Sequence, residues 1–349
     1  AGRFEEYSDF GENFSWKLAT RYRITQNVTI RAAYSTGFRA PSLPQKFFSS
    51  STLQFITLAD GTIDGVSIAH QNDDSFVTRQ FGIPNLKPET SRNISLGLTA
   101  KIIENLSLTV DAYQINIEDR IGITGRFRGS QDERFATILD AAGLSQVQFM
   151  TNAVDTETRG LDLVLNYFIP LDRGSLTLTA AGNITETQVP RTGEGEPIIK
   201  TGDFLKGFGT VLFNREEVSR IEVAQPRNKM ILSAIYKLDK LSLGVTATRF
   251  GEIDYIHPSD ALRENTWNNG AMESLDQTFS PKILTDLDIS FQLNEFVQIG
   301  IGGANIFNVY PDRHSHSANY GGGMFPYSRR VSQFGLSGAG YYAKMNLSF

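Results

Sequence analysis

The chain has no cysteine, and only four histidines in 349 residues. Without thiols there is no disulfide framework and no thiolate metal site. No histidine stands in a metalloprotease or nucleophile-elbow pattern. No apolar run approaches the ~18 residues of a membrane helix. No basic-then-apolar leader opens the chain, and Ala1-Gly2-Arg3 lacks an initiator methionine. We therefore expect a fragment or mature C-terminal portion of a longer protein. A formal net charge of -5 withholds the basic surface that replaces counterions on nucleic acid. No nucleic-acid partner, catalytic constellation, metal or cofactor is expected.

Strand patterns fill the space that these absences leave. In the closing stretch, Tyr341, Ala343, Met345, Leu347 and Phe349 alternate with Tyr342, Lys344, Asn346 and Ser348, one apolar face against one polar face. Phe14, Trp16, Leu18, Tyr22 and Ile24 begin the same pattern near the other end, and Thr25-Gln26-Asn27 turns it into Val28, Ile30, Ala32 and Tyr34. Further pairs turn at Glu104-Asn105, Pro170 to Gly174, Asp239-Lys240 and Asn294-Glu295. At Tyr113, Ile115 and Ile117 the phase slips, which reads as a bulge or as a strand leaving the bilayer.

About twelve strands result, joined by connections that alternate short and long. Long structureless loops count against a compact soluble domain, whereas a transmembrane barrel has short periplasmic turns and longer extracellular loops. Lys17, Arg21, Arg23, Arg31, Lys101, Asp111, Asp162, Asp286, Asp288 and Lys344 lie opposite the apolar faces, implying a wet or protein-filled interior. The reading is all-β: a transmembrane antiparallel β-barrel, a single domain over residues 1–349. A soluble β-sandwich, with Met345 and Leu287 sealed in a dry centre, or a propeller, for which no repeat of fixed period speaks, is the alternative.

Several stretches resemble the C-terminal barrel half of TonB-dependent outer-membrane receptors. Ala33 to Leu43, holding Phe38-Arg39-Ala40-Pro41, is similar to that family's most recognisable barrel segment. Asn85-Leu86-Lys87-Pro88-Glu89 resembles a second box, although Ile83-Pro84 stands where Asn-Pro is usual. Asn152 with Glu157 to Leu163, and Asn305 to Asp312, resemble two more. The resemblance implies a 22-strand barrel with a plug in its lumen, of which this chain supplies roughly the last half, without the plug. Alone it should be an open sheet with two unpaired edges. It also implies that Tyr341 and Phe349 belong to the signal read by the barrel-assembly machinery, a reading that the position of Phe349 at the end of the sequence favours over an interfacial aromatic belt. Pro41 ends a strand, and Arg39 is placed to tether a loop.

The resemblance implies a function as well: TonB-dependent active uptake of a scarce extracellular small ligand, with an iron-siderophore complex as the default. Its partners are outer-membrane lipid, the TonB complex through the plug, and the assembly machinery. A passive porin, an adhesive barrel, and a haem, cobalamin or carbohydrate receptor stay open, and an outer-membrane enzyme stands behind them. His70 lies in the interval where the haem-uptake branch carries an axial ligand. Candidate ligand contacts are His70, Tyr255, Trp267, Tyr320 and Phe325, because loop aromatics suit aromatic chelators or sugar rings; they also anchor loops. His257 looks incidental, and His314-Ser315-His316 reads as a solvated loop. Gly300, Gly302 and Gly303 would leave room on the inner wall for a plug.

Overall fold

Period-2 alternation organises almost every long element. The computed structural model describes residues 1–8, 10–57, 63–257, 274–321 and 323–348. The chain opens with β1 (Gly2–Tyr7), β2 (Gly11–Arg23) and β3 (Val28–Arg39). A long excursion follows, with α1 (Leu43–Phe47), a hairpin of β4 (Ser50–Thr57) and β5 (Ile63–Gln71), and α2 (Phe76–Gln80). Next come β6 (Glu89–Ile103), β7 (Leu106–Ile123), β8 (Phe127–Arg128), α3 (Glu133–Ala142), β9 (Gln146–Leu171) and β10 (Gly174–Gln188). A second excursion carries α4 (Gly209–Leu212) and α5 (Arg215–Glu222) into β11 (Asn228–Leu238) and β12 (Leu241–Phe250). The short ribbon of β13 (Ile253–Tyr255) and β14 (Gln277–Phe279) precedes β15 (Lys282–Gln292), β16 (Val297–Ala304) and β17 (Gly340–Leu347).

Twelve of these strands form one linear path, β1-β2-β3-β6-β7-β9-β10-β11-β12-β15-β16-β17. Among the described residues it does not close, so β1 and β17 are its edges. At one end the path turns tightly, and Asn105 and Asp239 take the positive φ of 65° and 48° that such turns favour. The long connections gather at the other end, although β1 and β2 are joined there by residues 8–10 alone. No described helix is long and apolar enough to cross a membrane, which says nothing about crossing by strands.

The register fixes the faces. Arg21 pairs with Arg31, Arg31 with Gly97, Gly97 with Asp111, Asp111 with Asp162, and Asp162 with Asn183. The same face runs on through Lys229, Phe250 and Lys282 to Asp286 and Asp288, and then to Tyr342 and Lys344. All the charges expected on the inner wall therefore share one face. The opposite face carries Leu18, Ile94, Leu96, Leu232, Ile301 and Met345, all exposed. Met345 is 63% exposed and Leu287 is only half-buried, so among the described residues these two are not sealed in a dry centre between two sheets. An apolar band this wide facing outward requires lipid, and only strand pairing satisfies the backbone there.

Two expectations are corrected. Of the two readings of the slip at Tyr113 the bulge is excluded, since β7 stays in unbroken register with β9 from Leu106 to Ile117 and shifts only between Ile117 and Ile121. Tyr113 faces inward because Gly160, its partner, leaves room for the ring: a Cβ there would lie 2.2 Å from Tyr113 Cζ. Nor do the three glycines clear space on the inner wall. Gly302 is covered by the Tyr342 ring and Gly300 by the Lys344 chain, while Gly303 lies on the outer face against Ile306 and Tyr341.

The dry core lies in the long loops. Phe81, Phe127, Phe135 and Phe149 are all fully buried, with ring centroids 5.2 Å from Phe81 to Phe135, 5.2 Å to Phe149 and 5.3 Å to Phe127. Such pairs gain about 0.5–1.5 kcal/mol each beyond area burial. α3 supplies Phe135 and Leu139 from one face; Asp132 caps its start through Arg134 N at 2.8 Å, and Gly143 ends it at φ 66°, as a left-handed glycine commonly does. β9 supplies Val147 and Phe149 because it extends well past the wall, pairing there with β5 and β8.

Candidate functional site

The sequence motifs meet at the strand exits. Arg39, the last residue of β3, donates from Nε to Glu89 Oε2 at 2.9 Å and forms a second bond from Nη2 to Oε1. Glu89 is buried, and its Oε1 also accepts from Ile121 N at 2.8 Å. Just beyond, Pro41 is buried and Ser42 caps α1, its N–H donating to Gln45 Oε1 at 2.9 Å. Phe38 lies 5.7 Å from the Tyr7 ring, and Ala40 is half-buried. Leu86 is buried and its N–H donates to both oxygens of Asp73, each at 3.1 Å. Burial raises the Asp73 carboxyl, and the Leu86 N–H offsets part of this by favouring the charged form. Asn85 is exposed and Pro88 half-buried. Asn152 closes the arrangement: it accepts from Lys87 N at 3.0 Å and donates to Lys87 O at 2.9 Å and to Asp119 O at 2.6 Å. Asn305 does the same for the last loop through Val309 N and O.

Four of the five candidate contacts lie among the described residues. His70 is 7% exposed, on β5, with its ring 5.7 Å from Phe48. Its Nε2 is enclosed and has no hydrogen-bond partner among the described residues, and burial holds its pKa below the ordinary value. Tyr255 is 6% exposed and stacks edge-on against His314 at 4.7 Å. Trp267 lies outside the described residues, as does Phe349. Tyr320 and Phe325 are half-buried in the last loop, where Arg329 sits 5.1 Å from the Phe325 ring. Tyr341 is 74% exposed on the outer face of β17. His257 donates its N–H to Asp276 at 2.8 Å. His314 is buried rather than solvated, with its N–H donating to Pro326 O at 2.7 Å. Among the described residues no group of three or more His, Cys, Asp or Glu is placed to hold a metal.

A charged cluster that no local motif announces lies beside Tyr255. The Asn214 side chain caps α5 through Glu216 N and Glu217 N. Arg220 donates to Glu216 at 2.9 Å and to Glu217 at 3.0 Å, and Arg330, from the last loop, pairs with Glu216. Burial pushes the Glu217 carboxyl up to about 7, against the pull of Arg220, because desolvation disfavours the charged form. Ala224, Ile253, Tyr255, Phe279 and Val331 form the small core that brings these loops together. Only the local pairs of Arg220 with Glu216 (i, i+4) and Glu217 (i, i+3) are visible in the sequence; Arg330 arrives from another loop.

The barrel family described as TonB dependent receptor-like, beta-barrel, matches residues 1–309. The vitamin B12 transporter BtuB of Photobacterium profundum is 24% identical over 165 residues, which is 47% of this chain and 20% of that protein. The siderophore receptor PirA from Acinetobacter baumannii aligns with all of this chain at a TM-score of 0.60 and 16% identity, covering 43% of that receptor. The ferric enterobactin receptor PfeA from Pseudomonas aeruginosa aligns with 99% of this chain at 0.59 and 18%, covering 41% of that receptor. At these identities the solved structures share a fold, and this chain spans less than half of each. All three are receptors or transporters by name. The chain belongs to the TonB-dependent receptor family, as part of its outer-membrane β-barrel.

Proposed function

We propose that the whole receptor takes up a scarce ligand actively, with an iron-siderophore complex as the ligand. The carrying observation is a separately cored lobe of loops standing over a wall whose inner face is polar and charged. The lobe gives a surface for recognition outside the membrane, and the wall gives a lined passage. In this reading the passage is filled by a plug that TonB moves, and the outer face meets outer-membrane lipid. Tyr341 and the end of β17 form part of the signal for the assembly machinery. One solved neighbour named as a siderophore receptor and one named as a ferric enterobactin receptor support the ligand class. Tyr320 and Phe325 keep part of their surface open and are proposed contacts; His70 and Tyr255 hold loops together.

The match to a vitamin B12 transporter favours cobalamin as the second reading. Growth under iron limitation and uptake of labelled ferric chelates, in strains with and without the full gene, test the first. Unchanged ferric-chelate uptake in the deletion strain, with impaired cobalamin uptake, moves the assignment to the second. Steady ion conductance through the purified receptor would point instead to a passive porin.

A further inference from the structure

The cluster beside Tyr255 has more positive charge than its acids neutralise. Gly125 places the connection after β7 against the start of α5: its N–H donates to Leu212 O at 3.1 Å, and a Cβ there would lie 2.3 Å from Val211 O and 2.7 Å from Asn214 Nδ2. The next residue, Arg126, is half-buried and stands in the field of Arg330, Glu216, Arg128 and Arg220. Among the described residues its guanidinium has neither an ion pair nor a hydrogen bond. Arg220 spends two donors on Glu216 and Glu217, yet its Nε is buried with no acceptor. Both acids are thus engaged by Arg220 and Arg330, leaving Arg126 as the surplus cation. A desolvated guanidinium without an acceptor is costly, and a planar fork of donors suits an oxyanion. Arg220 and Arg330 each keep about a third of their side chain open to solvent, so the cluster is reachable from outside.

We propose that Arg126, Arg220 and Arg330 frame a binding site for an oxyanion, the carboxylate or comparable anionic arm of the iron chelate. The proposal rests on the uptake reading above for the source of that anion; the charge surplus stands without it. Glu216 and Glu217 act as positioning residues, holding two of the three guanidinium groups toward the third.

The test uses the full-length receptor in detergent, titrated calorimetrically with citrate and separately with inorganic phosphate. Saturable citrate binding, weakened about tenfold or more in Arg126→Gln, partly retained in Arg126→Lys and unchanged in Arg92→Gln, a β6 residue paired with Glu118 on the outer face of the wall, is the expected result. Heat-modifiable mobility on gels confirms that each variant is folded. Absence of saturable binding by either anion, or full binding in folded Arg126→Gln, overturns the site. Phosphate binding as tight as citrate binding overturns the chelate as occupant. Citrate binding that needs Arg126, in a protein whose deletion leaves ferric-chelate uptake intact, removes the uptake reading and leaves the anion site standing.

Discussion

Arg39 and Glu89 lie directly opposite each other where β3 and β6 leave the wall, and their side chains repeat the pairing that their backbones make. Glu89 is only 6% exposed whereas Arg39 is 57% exposed. Removing Arg39 strands a buried carboxylate that also holds Ile121 N. Arg39→Ala should therefore cost about 2 kcal/mol, less than for a fully enclosed pair because Arg39 is mostly in water. Denaturant midpoints of both single variants and the double variant form the cycle that checks this; full additivity would mean the pair contributes nothing.

Gly160 should tolerate no side chain while Tyr113 lies over it. Gly160→Ala is expected to destabilise by about 1–3 kcal/mol through overpacking. Tyr113→Ala in the same chain should recover most of that, despite losing the 3.3 Å bond that Asn183 Nδ2 donates to Tyr113 Oη. Thermal midpoints in detergent provide the comparison. Failure of the second change to rescue the first refutes the packing account.

Leu232 and Ser233 are neighbours on β11 and face opposite ways. Leu232→Arg puts a charge against lipid, at a cost of about 2–4 kcal/mol near the midplane, and should lower the amount of folded receptor in outer membranes. Ser233→Arg points to the wet wall and should assemble normally. Equal yields of the two variants would refute the assignment of faces.

The Glu217 carboxyl binds its proton more tightly in the folded protein, at about 7, than its ordinary 4.5. The folded state therefore holds more protons across that window, and local stability falls as pH rises from about 4.5 to about 7, by roughly 3 kcal/mol in the limit. His70 and His314, kept neutral by burial, act in the opposite sense below their ordinary 6.5. The readout must therefore be local. Hydrogen-exchange protection of α5 amides, corrected for intrinsic rate, should be higher at about pH 5 than at about pH 8. Glu217→Gln should flatten that difference, and an unchanged slope in the variant would assign it elsewhere.

The wall is legible because lipid and a wet lumen impose the strictest alternation a strand can carry. From Phe14 to Tyr34, and again within β15, β16 and β17, each residue's face follows from its parity. The turns at Glu104-Asn105 and Asp239-Lys240 are equally plain, since polar pairs break two apolar runs there. What stays hidden is the loop lobe. Beyond the bilayer the outer face meets water, so Gln114, Asn116 and Glu118 replace the leucines while Tyr113, Ile115 and Ile117 turn inward, and the pattern inverts without any break in the strand. Alternation marks β9 only from near Leu161, because its first half obeys the lobe's packing rather than the membrane's. Arg126, Arg220 and Arg330 come from separate loops, and no spacing along the chain foretells their meeting.

Because the phenylalanine nucleus around Phe81 sits outside the hydrocarbon, the molecule has two apolar systems that answer to different surroundings. Lipid composition acts on the wall, whereas cavity formation at Phe135, about 3–5 kcal/mol for loss of the ring, acts on the lobe. A receptor damaged there would still reach its membrane and span it, yet present a softened face to the exterior: correctly delivered and, on the uptake reading proposed above, unable to recognise.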